Sequence, residues 1–134
     1  MKSLNEKLAL LQSKIEVGTP VTVMIIGLGS VGLYLLDYLV GLSNPRLHLV
    51  VVGRNRNKMV QDVNIVRTAA TIRGCLRSRI DIEGNCDLEQ VESISGTIKK
   101  YSPDFIVNSS RVYSGLKYGS ISWQHLRAYG IWTP

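Results

Sequence analysis

Apolar residues recur at helical spacing at the start of the chain. They are separated by four, three and four residues, in the order Leu4, Leu8, Leu11 and Ile15. This spacing predicts an amphipathic helix of about four turns, whose apolar stripe should pack against another surface. Gly18 and Pro20 then end the periodic segment. We therefore predict an amino-terminal amphipathic helix within residues 1–18.

Short apolar runs rich in β-branched residues follow this helix. Such runs are typical of strands that are covered on both faces of a parallel sheet. The predicted strands are Val21–Ile26, Leu47–Val52, Arg79–Glu83 and Asp104–Ser109.

Between the strands, apolar residues return to helical spacing. The three predicted helices carry Val31, Leu35, Leu36 and Leu39, then Met59, Val63, Val66 and Ala70, and then Val91, Ile94, Ile98 and Tyr101. Asn57 is the expected cap of the second helix, and Asp87 with Gln90 that of the third. A further short helix is predicted over Ile121–Tyr129. Alternating strands and helices predict an α/β fold in residues 19–134, a doubly wound parallel sheet of the Rossmann type.

Size and composition are those of one globular domain. The chain has 134 residues, of which 45% are apolar, and no apolar run reaches the ~20 residues of a membrane span. The amino terminus lacks the apolar block of a secretory signal, so we expect a cytoplasmic protein without membrane association. Cys75 and Cys86 form no CxxC motif, and we expect neither a metal site nor a disulfide. The apolar residues just before Pro134 suggest that the domain is truncated at its carboxyl terminus.

Positive charge is concentrated in one part of the sequence. The net charge is +6, and between Arg54 and Arg79 the only acidic residue is Asp62. Nucleic-acid binding is one interpretation, but the segment has no interleaved aromatic residues and no known nucleic-acid module. A basic surface beside an anionic small molecule explains part of the charge equally well. We therefore do not expect nucleic acid as the partner.

A glycine motif follows the first predicted strand and opens the next predicted helix. Residues 27–32 fit the pattern G-x-G-x-x-G of dinucleotide-binding turns. Gly27 would permit the tight turn, Gly29 the close approach of a pyrophosphate, and Gly32 the close packing of helix on strand. The free N–H groups of the helix would face the phosphates. The predicted pyrophosphate site is Gly27, Leu28, Gly29, Ser30, Val31 and Gly32; the alternatives are a turn without a ligand and an adenosyl site of the methyltransferase type.

The end of the second strand indicates which dinucleotide binds. In an NAD site a carboxylate there accepts hydrogen bonds from the ribose hydroxyls. This sequence has Gly53 instead, followed by Arg54, Asn55 and Arg56, which can donate hydrogen bonds to a 2′-phosphate. Lys58 is a further candidate. NADP is therefore favoured over NAD; the alternative is a merely basic loop, with a carboxylate elsewhere on the ribose.

Three stretches of the sequence together resemble a known kind of domain. Residues 23–40, 47–58 and 104–110 are similar to the amino-terminal NAD(P)-binding domain of a dehydrogenase, of the saccharopine-dehydrogenase-like or the lactate/malate type. The resemblance spans roughly residues 21–110, and its order of elements is common to Rossmann dehydrogenases. It implies that Asn108, Ser109 and Ser110 lie near the nicotinamide-side ribose. The lactate/malate pattern has an aspartate where this chain has Gly53, which argues against a preference for NAD.

No residue is identified as catalytic by the sequence. Tyr113 and Lys117 fit the Y-x-x-x-K pair of short-chain dehydrogenases, but the glycine spacing differs from that family, so simple packing is the competing interpretation. Arg111 could hold a substrate carboxylate or be an ordinary loop residue, whereas His48 and His125 are interpreted as a strand residue and a surface residue. The resemblance implies that catalytic residues lie beyond Pro134.

These observations predict the NADP-binding domain of an oxidoreductase that acts on a small-molecule substrate, with the hydride chemistry supplied by NADP(H). A non-catalytic nucleotide-sensing domain is the alternative. In that alternative the amino-terminal stripe could form a homodimer surface.

Overall fold

The computed structural model describes residues 3–110, which form an α/β fold around one parallel sheet. The helices are α1 (Leu4–Val17), α2 (Ser30–Gly41), α3 (Arg56–Arg73) and α4 (Val91–Tyr101). The strands are β1 (Val21–Ile26), β2 (Leu47–Val52), β3 (Arg79–Glu83) and β4 (Phe105–Asn108). The predicted fold class is confirmed. The predictions for Arg111, Tyr113, Lys117, His125 and the helix over 121–129 lie outside the described residues.

The four strands lie in the order β3-β2-β1-β4 and are all parallel. Val21 of β1 pairs with Leu47 of β2, and Val23 of β1 pairs with Phe105 of β4. The chain builds outward from β1 to β3, then returns to the other side of β1 for β4. The carboxyl ends of β1 and β4 therefore flank the point where the strand order reverses, which is where ligands bind in open sheets of this kind.

Apolar residues cover both faces of β1 and β2, as the continuous runs of these strands predict, whereas β4 at the edge of the sheet is exposed. On one face, α2 and α3 pack on alternate residues of the two strands; the buried residues there include Val23, Ile25, Leu36, Val40, Leu49, Val51, Met59, Val63, Val66 and Ala70. On the other face, α4 and the loop before it contribute Leu88, Ile94, Ile98 and Tyr101. These contact Met24, Ile26, Val50, Val52 and Cys86. The sheet is thus doubly wound.

Four local predictions are wrong. The α3 cap is Asn55, whose side-chain oxygen accepts a hydrogen bond from the Lys58 N–H, so the helix begins before Asn57. The α4 cap is Gln90 without a side-chain hydrogen bond, while Asp87 instead accepts from the Glu89 N–H in the preceding turn. Val31 and Val91, predicted on the apolar faces of α2 and α4, are 70% and 74% exposed, because each lies in the first turn of its helix and points away from the sheet's apolar clusters.

Helix α1 is well capped but packs lightly on the sheet. Ser3 and Glu6 form a capping box at its start, and a left-handed Gly18 ends it. A contact of 2.8 Å between Lys14 Nζ and Asp104 Oδ1 ties the helix to the residue before β4. No residue of α1 is buried among the described residues. Its apolar stripe lines an open groove of about 960 Å³, completed by residues 103–106.

Candidate functional site

A cleft lies at the carboxyl ends of β1, β2 and β4, at the reversal point of the strand order. Its volume is about 240 Å³. It is lined by Gly27, Leu28, Gly29, Gly53, Arg54, Asn55, Lys58, Met59, Leu88, Ser109 and Ser110. Eight of the thirteen residues predicted for the cofactor site are among them. The other five, which are Ser30, Val31, Gly32, Arg56 and Asn108, do not line it.

The three motif glycines occupy three different environments. Gly27 has a φ of +87°, and a Cβ there would lie 2.7 Å from the Ser110 backbone. A Cβ on Gly32 would lie 2.2 Å from the Gly27 carbonyl oxygen, so α2 starts in direct contact with the turn. By contrast, a Cβ on Gly29 would meet no atom within 4 Å. Gly27 and Gly32 are thus required by the protein itself, whereas Gly29 faces open space in the cleft.

The amino terminus of α2 lies at this cleft, which its N-cap residue Gly29 lines. Gly29 is its N-cap residue, in extended conformation, and no side chain of the described residues caps the helix. A helix N-terminus exposes unpaired N–H groups and carries the positive end of the helix dipole. The turn therefore offers donors and positive potential to an anion.

The basic loop after β2 is divided between the cleft and the rest of the protein. Arg54 and Lys58 line the cleft, as does Asn55, whose side-chain oxygen caps α3. Arg56 points elsewhere: its Nη1 donates to the Ile82 carbonyl over 3.3 Å. Of the two arginines predicted to hold a 2′-phosphate, the structure places Arg54 in the cleft and Arg56 beside β3.

The end of β4 closes the cleft opposite this loop. The Ser109 hydroxyl lies 2.6 Å from the Gly27 carbonyl oxygen and 3.2 Å from that of Ile26. The side-chain oxygen of Asn108 accepts hydrogen bonds from the N–H and hydroxyl of Ser110. The Ser109 hydroxyl thus holds the end of β4 against the glycine turn, while Asn108 fixes the turn of chain that follows it.

Comparisons with known proteins do not assign a family to this chain. No family model matches it, and no curated protein matches its sequence. The function of the chain is therefore inferred from its fold and its cleft.

Two residues that line the cleft, Met59 and Leu88, were not predicted from the sequence. Met59 belongs to the buried face of α3, and its sulfur would lie 2.8 Å from a Cβ on Gly53. Leu88 lies in the loop between β3 and α4 and packs against the apolar cluster on the α4 face. Met59 was predicted only as a buried residue of its helix, because helical spacing gives no sign of a cleft, and Leu88 belongs to none of the predicted helices or strands. They add an apolar wall beside Gly53 and Arg54.

A carboxylate at the end of β3 is turned away from the cleft. Glu83 accepts hydrogen bonds from the Tyr101 hydroxyl, over 2.8 Å, and from Lys100 Nζ, over 3.2 Å. The Tyr101 hydrogen bond, assisted by Lys100, holds the pKa of Glu83 below its usual value, while burial raises the pKa of Tyr101. Glu83 is thus an ionised acceptor whose oxygens are engaged by α4.

Residues 3–110 contain neither a membrane-spanning helix nor a cluster of metal-ligating side chains. None of the helices there is both long enough and apolar enough to cross a bilayer. In the same range, no three histidine, cysteine or acidic side chains gather into a group that could hold a metal ion.

Proposed function

We propose that this chain is the NADP-binding domain of an oxidoreductase. One observation carries the proposal: Gly29 faces open space at an uncapped helix N-terminus, beside a cleft lined by Arg54, and the residue that follows β2 is Gly53 rather than an acid. In a dinucleotide with a 2′-phosphate, the pyrophosphate would bind at the helix N-terminus and the 2′-phosphate would bind beside Arg54. The fold alone would not distinguish it from other nucleotides.

The glycine turn supports pyrophosphate binding. Gly27 and Gly32 bring the end of β1, the start of α2 and the tip of β4 together, and the missing side chain at Gly29 leaves room for phosphate oxygens. Main-chain N–H groups at the helix start would donate to those oxygens, with the helix dipole adding to the attraction.

The loop after β2 supports the preference for NADP. Arg54 and Lys58 place two cations on the cleft, and Gly53 brings no negative charge that would repel a 2′-phosphate. The apolar wall of Met59 and Leu88 would contact the adenine ring. NAD lacks the 2′-phosphate, so it would lose the contact with these cations.

The cofactor would supply the hydride chemistry, and this domain would position it. The nicotinamide end would extend toward Ser109 and Ser110 at the tip of β4, where a small-molecule substrate would also bind. The competing function, a nucleotide sensor without catalysis, shares the same cleft. Turnover of a carbonyl substrate with NADPH by the protein would argue against that competitor.

Replacement of Arg54 by alanine tests the cofactor assignment. We expect the affinity for NADP to fall about tenfold or more, since a hydrogen bond to a charged group contributes about 1.5–3 kcal/mol. The affinity for NAD should change by less than about twofold. Calorimetric titration measures both values.

Arg79→Ala is the matched control for this test. It also removes one positive charge, from an arginine that is 74% exposed. Arg79 is the first residue of β3, so it lies at the amino-terminal end of the strands, and the cleft lies at their carboxyl ends. Equal losses of NADP affinity in the two variants would mean that only net charge matters. The assignment of Arg54 would then be wrong.

We also propose that α1 associates with a second copy of the chain. The spacing of four, three and four residues places its apolar residues on one face of the helix, which a second copy can bury symmetrically, and Leu4, Leu8 and Ile15 are more than half exposed. Sedimentation at increasing concentration should detect a dimer that Leu8→Glu abolishes. A monomer at all concentrations would contradict this contact.

A further inference from the structure

The side chain that pairs with Arg54 comes from a different part of the fold. Arg54 Nη1 lies 3.6 Å from the Glu89 carboxylate, in the loop between β3 and α4. The other cation on the cleft, Lys58, pairs over 3.0 Å with Asp62 one turn further along its own helix. The Lys58–Asp62 pair is therefore local to one helix. Glu89, by contrast, is brought to Arg54 by the tertiary fold.

The backbone around Glu89 is fixed, although its side chain is not. The Cys86 N–H donates to the Gly53 carbonyl, which fastens the loop to the end of β2. The Glu89 N–H donates to Asp87 Oδ1 over 3.0 Å. Leu88, the residue before Glu89, lines the cleft itself. The Glu89 backbone is therefore held beside the cleft.

The ion pair is weak enough to exchange with a ligand. The side chains of Arg54 and Glu89 are 61% and 80% exposed, and exposed pairs contribute only about 0–1 kcal/mol. A bound nucleotide can therefore separate the two groups at little cost. Because the Glu89 backbone stays in place, the negative charge of its side chain remains near any group that Arg54 contacts.

The position of this carboxylate gives it opposite effects on the two cofactors. A carboxylate near the adenosine ribose accepts hydrogen bonds from its hydroxyls in NAD, and it repels the 2′-phosphate of NADP. Gly53 cannot supply such a carboxylate at the end of β2. Glu83, at the end of β3, is already hydrogen-bonded to Tyr101 and Lys100. The Glu89 carboxylate contacts Arg54 from the neighbouring loop and is the acid that faces this arginine.

We propose that Glu89 is a specificity-determining residue, which weakens NADP binding and supports NAD binding. This inference rests on the proposed function. Arg54 and Glu89 then act as an opposed pair: the arginine favours the phosphorylated cofactor, and the carboxylate limits that preference.

Glu89→Gln tests this role, because it keeps the shape of the side chain and removes its charge. We expect NADP to bind about two- to fivefold more tightly and NAD about two- to fivefold less tightly, so that their ratio changes about tenfold. Glu92→Gln is the matched control, since it removes a charge from the exposed first turn of α4. That variant should leave the ratio within about twofold of the unaltered protein.

The outcomes separate this inference from the proposed function. If the unaltered protein binds NADP but Glu89→Gln leaves the ratio of affinities unchanged, or lowers the affinity for NADP, the role of Glu89 is wrong and the proposed function stands. An equal shift in Glu92→Gln would also overturn it, because any nearby charge would then suffice. If neither dinucleotide binds the unaltered protein, both proposals fail.

Discussion

Alanine in place of Gly29 is expected to abolish most cofactor binding without destabilising the protein. The added Cβ meets no protein atom within 4 Å, and the backbone angles of this residue, φ −88° and ψ −158°, suit alanine. The methyl group would occupy the space that a pyrophosphate needs. We expect NADP affinity to fall at least about tenfold, equivalent to ~1.4 kcal/mol, with an unchanged urea-unfolding midpoint.

Gly41→Ala is the matched control for this substitution. Gly41 is the last residue of α2, and a Cβ there also meets no atom within 4 Å. It lies at the other end of the helix from the cleft, so its replacement should leave NADP affinity unchanged. Normal NADP affinity in Gly29→Ala would mean that no phosphate approaches this turn.

Alanine in place of Gly32 should have the opposite consequence, a large loss of stability. Its Cβ would lie 2.2 Å from the Gly27 carbonyl oxygen and 2.7 Å from the Ser109 hydroxyl. The carbonyl belongs to the turn itself, so relief requires a shift of α2 away from β1. We expect the free energy of unfolding to fall by about 2–4 kcal/mol, as for other overpacked contacts.

Urea unfolding of Gly32→Ala beside Gly41→Ala measures this cost. The two substitutions add the same methyl group to the same helix, and only the first meets the turn. Equal midpoints in the two variants would show that α2 does not start against the Gly27 carbonyl. The packing of the turn would then be different from that described above.

The sequence was informative where one physical signal dominated. Continuous apolar runs predicted β1 and β2 to the residue, because strands covered on both faces tolerate few polar side chains. Helix α3 was recognised from the spacing of its buried residues, and the three motif glycines were placed by their relation to a strand and a helix. These signals are local, so the chain order alone carries them.

Features that depend on distant residues were missed. The contact between Arg54 and Glu89 joins two loops that only the sheet brings together. Arg56 looked equivalent to Arg54, yet the start of α3 turns it toward the Ile82 carbonyl. The caps of α3 and α4 were misplaced because several adjacent polar residues could each have served. In these cases, tertiary geometry chooses between residues of similar local propensity.

The central claim is that the cleft beside β1 and β2 binds a dinucleotide with a 2′-phosphate. Calorimetric titration of the unaltered protein with NADP and NAD side by side tests this claim most directly. The account predicts that both dinucleotides bind one site and that NADP binds more tightly, with a preference that declines as salt concentration rises. NAD binding at least as tightly as NADP, or no binding of either, would contradict it.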